Sequence, residues 1–254
     1  MKMKYLLTAT IFCLFLTNLL NAQEKQAAPK RIQIPFVHFD GGISLMGGDM
    51  AGISNYNLVV GGGFGLKSKK NFLYDIDFSY SFSDEVKEPW KLIPNIVTKN
   101  GLILDNGGTN AAISYSLRSY SFMAKFGKIL LPTKRNKDAG FFGMLGVGYL
   151  GSFYRIKEQK NAVPQIYKDY GKLYDKHRGG IALSQSIGFI HFGEQNLSNF
   201  IIQFEVKENF SKSLRDFDMI LNEKDTKSYM DIYCGLKVSW MFPFKKKVKE
   251  YYYN

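Results

Sequence analysis

Hydrophobic and polar residues alternate along much of this chain, most regularly in the segment 72–82. Its even positions are aromatic or aliphatic, and from Asp75 onward its odd positions are aspartate or serine. A period of two is that of a β-strand, because successive side chains leave opposite faces of the pleated backbone. The same pattern predicts eight strands, at 36–46, 56–66, 72–82, 112–128, 141–155, 180–192, 199–210 and 229–243.

The links between these strands alternate in length. An even number of strands with the long links gathered at one end is typical of bacterial outer-membrane barrels. Eight strands enclose an interior just wide enough for side chains to fill. We therefore predict an all-β fold: an eight-stranded antiparallel up-and-down transmembrane β-barrel with a side-chain-filled lumen. The short links are 67–71, 129–140 and 193–198, and the mostly longer ones are 47–55, 83–111, 156–179 and 211–228.

The fourth strand departs from a single phase. Ile113, Tyr115 and Leu117 keep one phase, whereas the apolar residues from Tyr120 to Phe126 keep the other. Either a β-bulge near Arg118–Ser119 or the exit of the strand from the bilayer at that point explains the change.

A soluble ligand-binding barrel of the lipocalin type has the same alternation turned inside out, with its apolar face around a cavity. The composition of the polar face separates the two. A face in bulk water is dense in lysine and glutamate, but here that face is largely glycine, serine, asparagine and glutamine. We favour the membrane barrel and keep the lipocalin-like barrel as an alternative.

The ends of the chain indicate export. Residues 1–22 combine a basic start with a short apolar run, which is typical of a secretory signal peptide. We predict a short periplasmic lead at 23–35, the barrel at 36–244 and a basic, tyrosine-rich periplasmic tail at 245–254. Cys13 would leave with the signal peptide, so Cys234 would have no intramolecular disulfide partner.

The chain is basic, with a formal net charge of +12. Most of this excess falls on segments that we assign to the periplasmic side. One explanation is anchoring to anionic headgroups of the inner leaflet, and the other is an acidic periplasmic partner. We predict no nucleic-acid partner, since the compartment is wrong for one.

Charged residues on the inward face should neutralise one another in a closed lumen. We predict a structural network there that serves no catalytic purpose and leaves no channel. Its members are Asp40, Asp75, Asp77, Arg118, Lys125, Glu205, Lys207, Asp231 and Lys237.

No catalytic, metal-binding or cofactor-binding set emerges from the sequence. His38 should face the lumen beside Asp40, His177 lies in a loop and His191 lies at the periplasmic rim. Ser184 and Ser186 share a strand with His191 but face the other way, which breaks a simple Ser–His arrangement. We predict a protein that is not an enzyme and has no cofactor, with a lipid-modifying or proteolytic barrel as an alternative.

The long loop at 163–174 places Ile166, Tyr170, Leu173 and Tyr174 at helical spacing. A short amphipathic helix packed on the rim is one reading, and a recognition surface is the other. The candidate contact residues are Tyr167, Tyr170 and Tyr174.

The segment from Tyr233 to Trp240 resembles the last-strand signal read by the barrel-assembly machinery, with Gly235, Val238 and Trp240 at its characteristic positions. In size, leader and strand plan the chain is similar to the small outer-membrane barrels of Bacteroidota, the PorT-like and OmpA-like group. That resemblance implies a Gram-negative outer membrane, lipid contacts and periplasmic termini. It also implies a structural or interaction role, including accessory roles in type IX secretion or gliding machinery.

Overall fold

The computed structural model describes residues 32–98, 102–133, 136–158, 163–166, 168–193 and 199–244. Eight antiparallel strands form a closed barrel in which each strand pairs with its neighbours in sequence and the last pairs with the first. The predicted fold class is confirmed. The strands are β1 (Ile34–Gly48), β2 (Tyr56–Lys67), β3 (Phe72–Ser83), β4 (Ile113–Pro132), β5 (Gly140–Glu158), β6 (Arg178–His191), β7 (Phe200–Ser213) and β8 (Ser228–Pro243).

The strands are staggered as well as paired. A path followed across paired residues once around the barrel leaves β1 at His38 and returns to it at Gly48, ten residues further on (48 − 38). A stagger of this size corresponds to a strand tilt of about 40°. The path crosses one residue on each of the strands β2 to β8, which are in order Gly63, Asp77, Met123, Gly148, Ala182, Asn209 and Asp231.

The two ends of the barrel differ. One end, called here the short-turn end, carries the links 68–71, 133–139 and 192–199, and the long-loop end carries the other four. The helices are short 3-10 turns in the long loops, at Asp49–Gly52, Pro89–Leu92, Pro94–Ile96, Pro164–Ile166 and Lys168–Leu173. None of the helices in the described residues reaches the length and apolar character that a membrane-spanning helix requires.

The apolar face of each strand points outward and the polar face points inward. Phe78 and Val238 are 53% and 54% exposed, whereas Asp77 and Asn209 are fully buried. A lipocalin-like barrel would show the reverse. The exterior is therefore a continuous apolar surface formed by all eight strands.

Two apolar clusters fill the ends of the lumen. The lower plug, at the short-turn end, packs Ile34, Phe36 and Met241 against residues of the other strands. The upper plug, at the long-loop end, joins Leu117, Tyr154 and other inward side chains to loop residues. Loop members of the upper plug are Met50, Leu92, Ile93, Ile103, Val163, Ile166 and Tyr174.

The phase change in β4 has one of its two predicted causes. The pairing of β4 with β3 and β5 runs without a shift past Arg118 and Ser119, and the one register shift recorded for β4 lies between Ile129 and Leu131. Ile113 and Tyr115 face inward against the upper plug. From Leu117 toward the long-loop end, the apolar neighbours of β4 are the loop residues of the upper plug and not the surroundings outside the barrel. The apolar residues of this part of the strand therefore lie on its inward face.

Several predicted segments lie outside the described residues. These are the signal peptide at 1–22, the lead at 23–35 except for its last four residues, and the tail at 245–254. Their assignments stay predictions.

Candidate functional sites in the lumen and at the long-loop end

A chain of charged side chains crosses the middle of the lumen. His38 contacts two carboxylates, with Nδ1 2.7 Å from Asp40 Oδ1 and Nε2 3.0 Å from Asp75 Oδ1. Lys237 Nζ then links Asp40 Oδ2 at 3.1 Å to Asp77 Oδ2 at 2.5 Å. Three strands, β1, β3 and β8, thus contribute to this end of the chain.

The chain continues through two further lysines. Lys125 Nζ lies 2.6 Å from Glu205 Oε1 and 3.6 Å from Asp77 Oδ1. Lys207 Nζ lies 3.6 Å from Glu205 Oε2 and donates hydrogen bonds of 3.1 Å to the hydroxyls of Ser79 and Ser121. We call the eight connected residues the lumen ion chain: Asp75, His38, Asp40, Lys237, Asp77, Lys125, Glu205 and Lys207.

Glycines on β2 make room for this arrangement. A Cβ at Gly63 would lie 2.7 Å from His38 Nε2 and 2.2 Å from the carbonyl oxygen of Ile76. A Cβ at Gly65 would lie 2.1 Å from the ring of Phe36. The inward glycines of β2 therefore leave the space that the large inward side chains of β1 occupy.

The lumen ion chain holds four carboxylates, three ammonium groups and one imidazole. Ligand atoms of His38, Asp75 and Asp77 lie within 4.8 Å of one another, which is close enough to share a metal ion. The ammonium groups of Lys237 and Lys125 already lie beside Asp77. The residues present thus supply the positive charge themselves, and the arrangement suits a structural role.

Two predicted members of the network lie elsewhere. The prediction for Arg118 was wrong, because this side chain faces outward, 3.0 Å from Asp84 and 5.7 Å from the centroid of the Phe82 ring. Asp231 is buried in the lumen but pairs with Arg178, whose Nη2 lies 3.3 Å from Asp231 Oδ1. The sequence prediction began the sixth strand at residue 180, so it placed Arg178 in a loop and missed it.

The histidines are not arranged for nucleophilic catalysis in the described residues. His38 is enclosed in the lumen ion chain, and His191 is stacked on Phe200 outside the barrel, with ring centroids 5.3 Å apart. Ser184 and Ser186 are buried inside. His177 Nε2 lies 3.1 Å from the hydroxyl of Tyr120 and therefore engages a tyrosine instead of a serine.

An ion pair ties two of the long loops together at the long-loop end of the barrel. Arg215 donates from Nε to Asp175 Oδ1 at 2.9 Å and from Nη2 to the other carboxylate oxygen. These hydrogen bonds raise the pKa of Arg215 above its ordinary value. The loop before β6 and the loop after β7 are held together in this way.

His177 lies beside this pair. Its backbone N–H donates to Asp175 Oδ1 at 3.0 Å, and its ring packs edge-on against Phe153. Partial burial lowers the pKa of His177, and the neighbouring Arg215 adds to the effect, while Asp175 opposes it. The imidazole is therefore held toward its neutral form.

The three predicted contact tyrosines have different positions. Tyr170 is 64% exposed, whereas Tyr174 is buried in the upper plug and is not available to a partner. Tyr167 lies outside the described residues. Two 3-10 helices replace the amphipathic α-helix that the spacing predicts, and Ile166 packs inward with Tyr174.

The proposed assembly signal lies on the strand that closes the barrel. Val238 and Trp240 face outward, and Trp240 stacks on Phe242 with ring centroids 6.4 Å apart. Gly235 faces inward, where a Cβ would lie 2.1 Å from the carbonyl oxygen of Ile43. The outward residues belong to an aromatic band near the short-turn end. Other pairs in that band are Phe72–Phe126, Phe141–Phe189 and His191–Phe200.

Comparison with known proteins gives matches to solved structures alone. No protein family and no curated protein matches this chain. It is similar to Ail, the attachment invasion locus protein of Yersinia pestis, solved with the heparin analogue sucrose octasulfate, at 10% identity and a TM-score of 0.41, covering 83% of this chain and 98% of that one.

Two further structures are similar at the same level. Neisserial surface protein A has 8% identity and a TM-score of 0.36, covering 82% of this chain and 96% of that one. The N-terminal β-barrel domain of Pseudomonas aeruginosa OprF has 10% identity and a TM-score of 0.34, covering 82% and 97%. Likenesses this distant carry no conclusion about function.

Proposed function

We propose that this protein is an outer-membrane β-barrel of a Gram-negative bacterium and acts as a non-enzymatic structural or interaction component. The observation that carries the proposal is the apolar exterior. Phe39, Phe64 and Ile181 are each more than 60% exposed, and every strand contributes comparable side chains. So much exposed apolar surface has no favourable contact in water, and hydrocarbon supplies one.

The height of the apolar surface fits a bilayer. The outward row of β3 runs from Phe72 to Phe82, and the ten residue steps between them span about 33 Å along the strand. A tilt of about 40° reduces this to roughly 25 Å, which is the height of the apolar band of outer-membrane barrels.

The orientation follows from the loops. We place the short-turn end in the periplasm and the long loops outside, as outer-membrane barrels have them. β1 starts and β8 finishes at the short-turn end, so both termini are then periplasmic. The barrel-assembly machinery would recognise β8, and outer-membrane lipids would surround the rest.

The filled lumen supports a role without transport. The lower plug, the lumen ion chain and the upper plug occupy successive levels of the interior. Function then falls to the surfaces, where the long loops stand outside the membrane. The finer proposal, an accessory of a secretion or gliding machine with a periplasmic partner, rests on the family resemblance alone.

Two measurements test the membrane assignment. Envelope fractionation should place the protein in the outer-membrane fraction, and unheated samples should migrate differently from boiled ones on SDS gels, because closed barrels resist the detergent. Recovery in the periplasmic supernatant with identical mobility before and after boiling would exclude the proposal.

A further inference from the structure

β4 and β5 extend beyond the rest of the barrel at the long-loop end. β3 stops pairing with β4 at Leu117, and β6 stops pairing with β5 at Ser152. The pairing of β4 with β5 continues to Ile113 and Glu158. Residues 153–158 therefore form a strand that has a partner strand on one side alone.

The backbone of this segment has one edge directed away from β4. The Tyr154 N–H donates to the carbonyl oxygen of Asp175 at 2.8 Å, so it points toward the side that β6 would occupy. The Arg155 and Lys157 carbonyls point the other way, since they accept from serine hydroxyls of β4. Backbone groups alternate along a strand, so the N–H and C=O of Ile156 also point to the open edge. Neither group hydrogen-bonds to any residue in the described part of the chain.

A cavity of about 440 Å³ lies along this edge. Its first wall is six consecutive residues, Phe153–Glu158. The face of a strand would supply alternate residues, so an unbroken run means that the edge itself borders the cavity. We call this cavity the edge groove. Its opposite wall is formed by Val163, Ile166, Gly171, Lys172 and Asp175.

We propose that the edge groove binds an extended acidic peptide segment of a partner protein by β-strand addition. The inference rests on the proposed interaction role and names its partner class. Peptides that add to an open edge gain main-chain hydrogen bonds, and pockets beside alternate side chains give specificity. Here the open amide and carbonyl of Ile156 supply the pairing.

The charges beside the edge select the partner. Arg155 and Lys157 are exposed on the outward face of the segment, and Tyr154 and Ile156 lie on the inward face. An added strand would place alternate side chains opposite each set, and opposite charges stabilise such pairs. The favoured peptide thus alternates acidic with apolar residues. A second copy of this chain is disfavoured, because its own edge would bring like charges together.

The test uses the full barrel refolded in detergent micelles. A phage library of random heptapeptides is selected on this protein and counter-selected on Ile156→Pro, which removes the edge N–H and keeps the ladder with β4. Fluorescein-labelled peptides made from the enriched sequences are then titrated by anisotropy. Ile156→Ala is the matched control, because it loses the same side chain but keeps the N–H.

We expect enriched peptides with acidic residues at alternate positions. Ile156→Pro should weaken their binding about tenfold, the size of one lost hydrogen bond, and Ile156→Ala should weaken it less. Lys157→Glu should weaken acidic peptides and favour the matching peptides with lysine in place of glutamate. Each variant must keep the gel mobility of a folded barrel, which separates a failure of this inference from a failure of the membrane assignment.

Two results would overturn the proposal. In one, the library yields nothing above the proline variant, and Arg155 and Lys157 then serve to keep the edge unpaired. In the other, enriched peptides bind Ile156→Pro as well as the original protein, and the backbone edge is then not the site.

Discussion

At the scale of single residues, the lumen depends on charges that compensate one another. Lys237 lies between Asp40 and Asp77 and is almost fully buried. Removing one member of a buried ion pair leaves the other charge without compensation. This destabilises the folded protein more than replacing both members does. The stability of this barrel should therefore be sensitive to single lumen charges and tolerant of surface ones.

We predict that Lys237→Met lowers the free energy of unfolding by about 3 kcal/mol. Urea titration of the protein in phospholipid vesicles, followed by tryptophan fluorescence from Trp90 and Trp240, measures the change. The double variant Lys237→Met/Asp77→Asn should recover part of the loss, since one uncompensated carboxylate is removed. Lys212→Met, at an exposed position of β7, serves as the control and should change stability by about 0.5 kcal/mol or less. Equal effects at both lysines would contradict a compensating role for Lys237.

A second residue-scale prediction concerns His177, whose pKa is lowered by burial. The unfolded chain should bind a proton near the ordinary value of about 6.5, while the folded loop resists protonation until lower pH. The contribution of His177 to stability is then present above pH of about 6.5 and is lost as the pH falls. An NMR titration of the imidazole should give a pKa below that of a free histidine. His177→Gln should flatten the acid side of the stability profile, and an unchanged profile would count against the prediction.

The sequence placed most inward charges on the correct face but misjudged two arginines. The alternation of residues tells which face of a strand a side chain lies on, but not how far along the barrel axis it lies. Arg118 alternates in phase with Tyr120 and Phe122 and therefore lies on the outward face. The prediction placed it in the lumen as a pairing partner for the inward carboxylates, against the phase of its neighbours. Arg178 was missed because Gly179 and Gly180 give no hydrophobic signal for the start of β6.

At the scale of elements, the eight strands could be predicted because each must present one face to hydrocarbon and one to a crowded lumen. The loop at 163–174 could not. Its apolar spacing predicts an α-helix, but Pro164 and Gly171 favour short turns, and Ile166 and Tyr174 pack into the upper plug. The contacts that decide its shape come from distant strands, so the local pattern does not contain them.

The outward face of a strand should tolerate charge according to depth. We predict that Phe78→Arg, near the middle of β3, destabilises the barrel in vesicles by about 2–4 kcal/mol. Leu131→Arg, near the short-turn end of β4, should cost about 0–1 kcal/mol. Chemical unfolding of both variants beside the original protein measures the difference. Equal losses at the two positions would mean that the apolar surface does not span a bilayer.

At the scale of the whole molecule, three levels of packing close the lumen in series. We predict no stepwise conductance when the protein is reconstituted in planar bilayers. Phe36→Ala/Phe192→Ala should open the lower plug, to which both residues belong, without creating a pore, because the lumen ion chain and the upper plug remain. Regular conductance steps from the original protein would show that the interior is not closed.

The seam between β1 and β8 joins residues that lie far apart in the chain, from Phe36 with Pro243 to Gly48 with Asp231. Structures dominated by pairings of such long range form slowly, because the entropy of bringing the ends together is lost before any pairing is gained. The barrel can close only after nearly the whole polypeptide has been synthesised, because its first and last strands pair with each other. Until then both terminal strands have unpaired edges that favour aggregation, so we expect the unassembled chain to need a chaperone that covers these two edges.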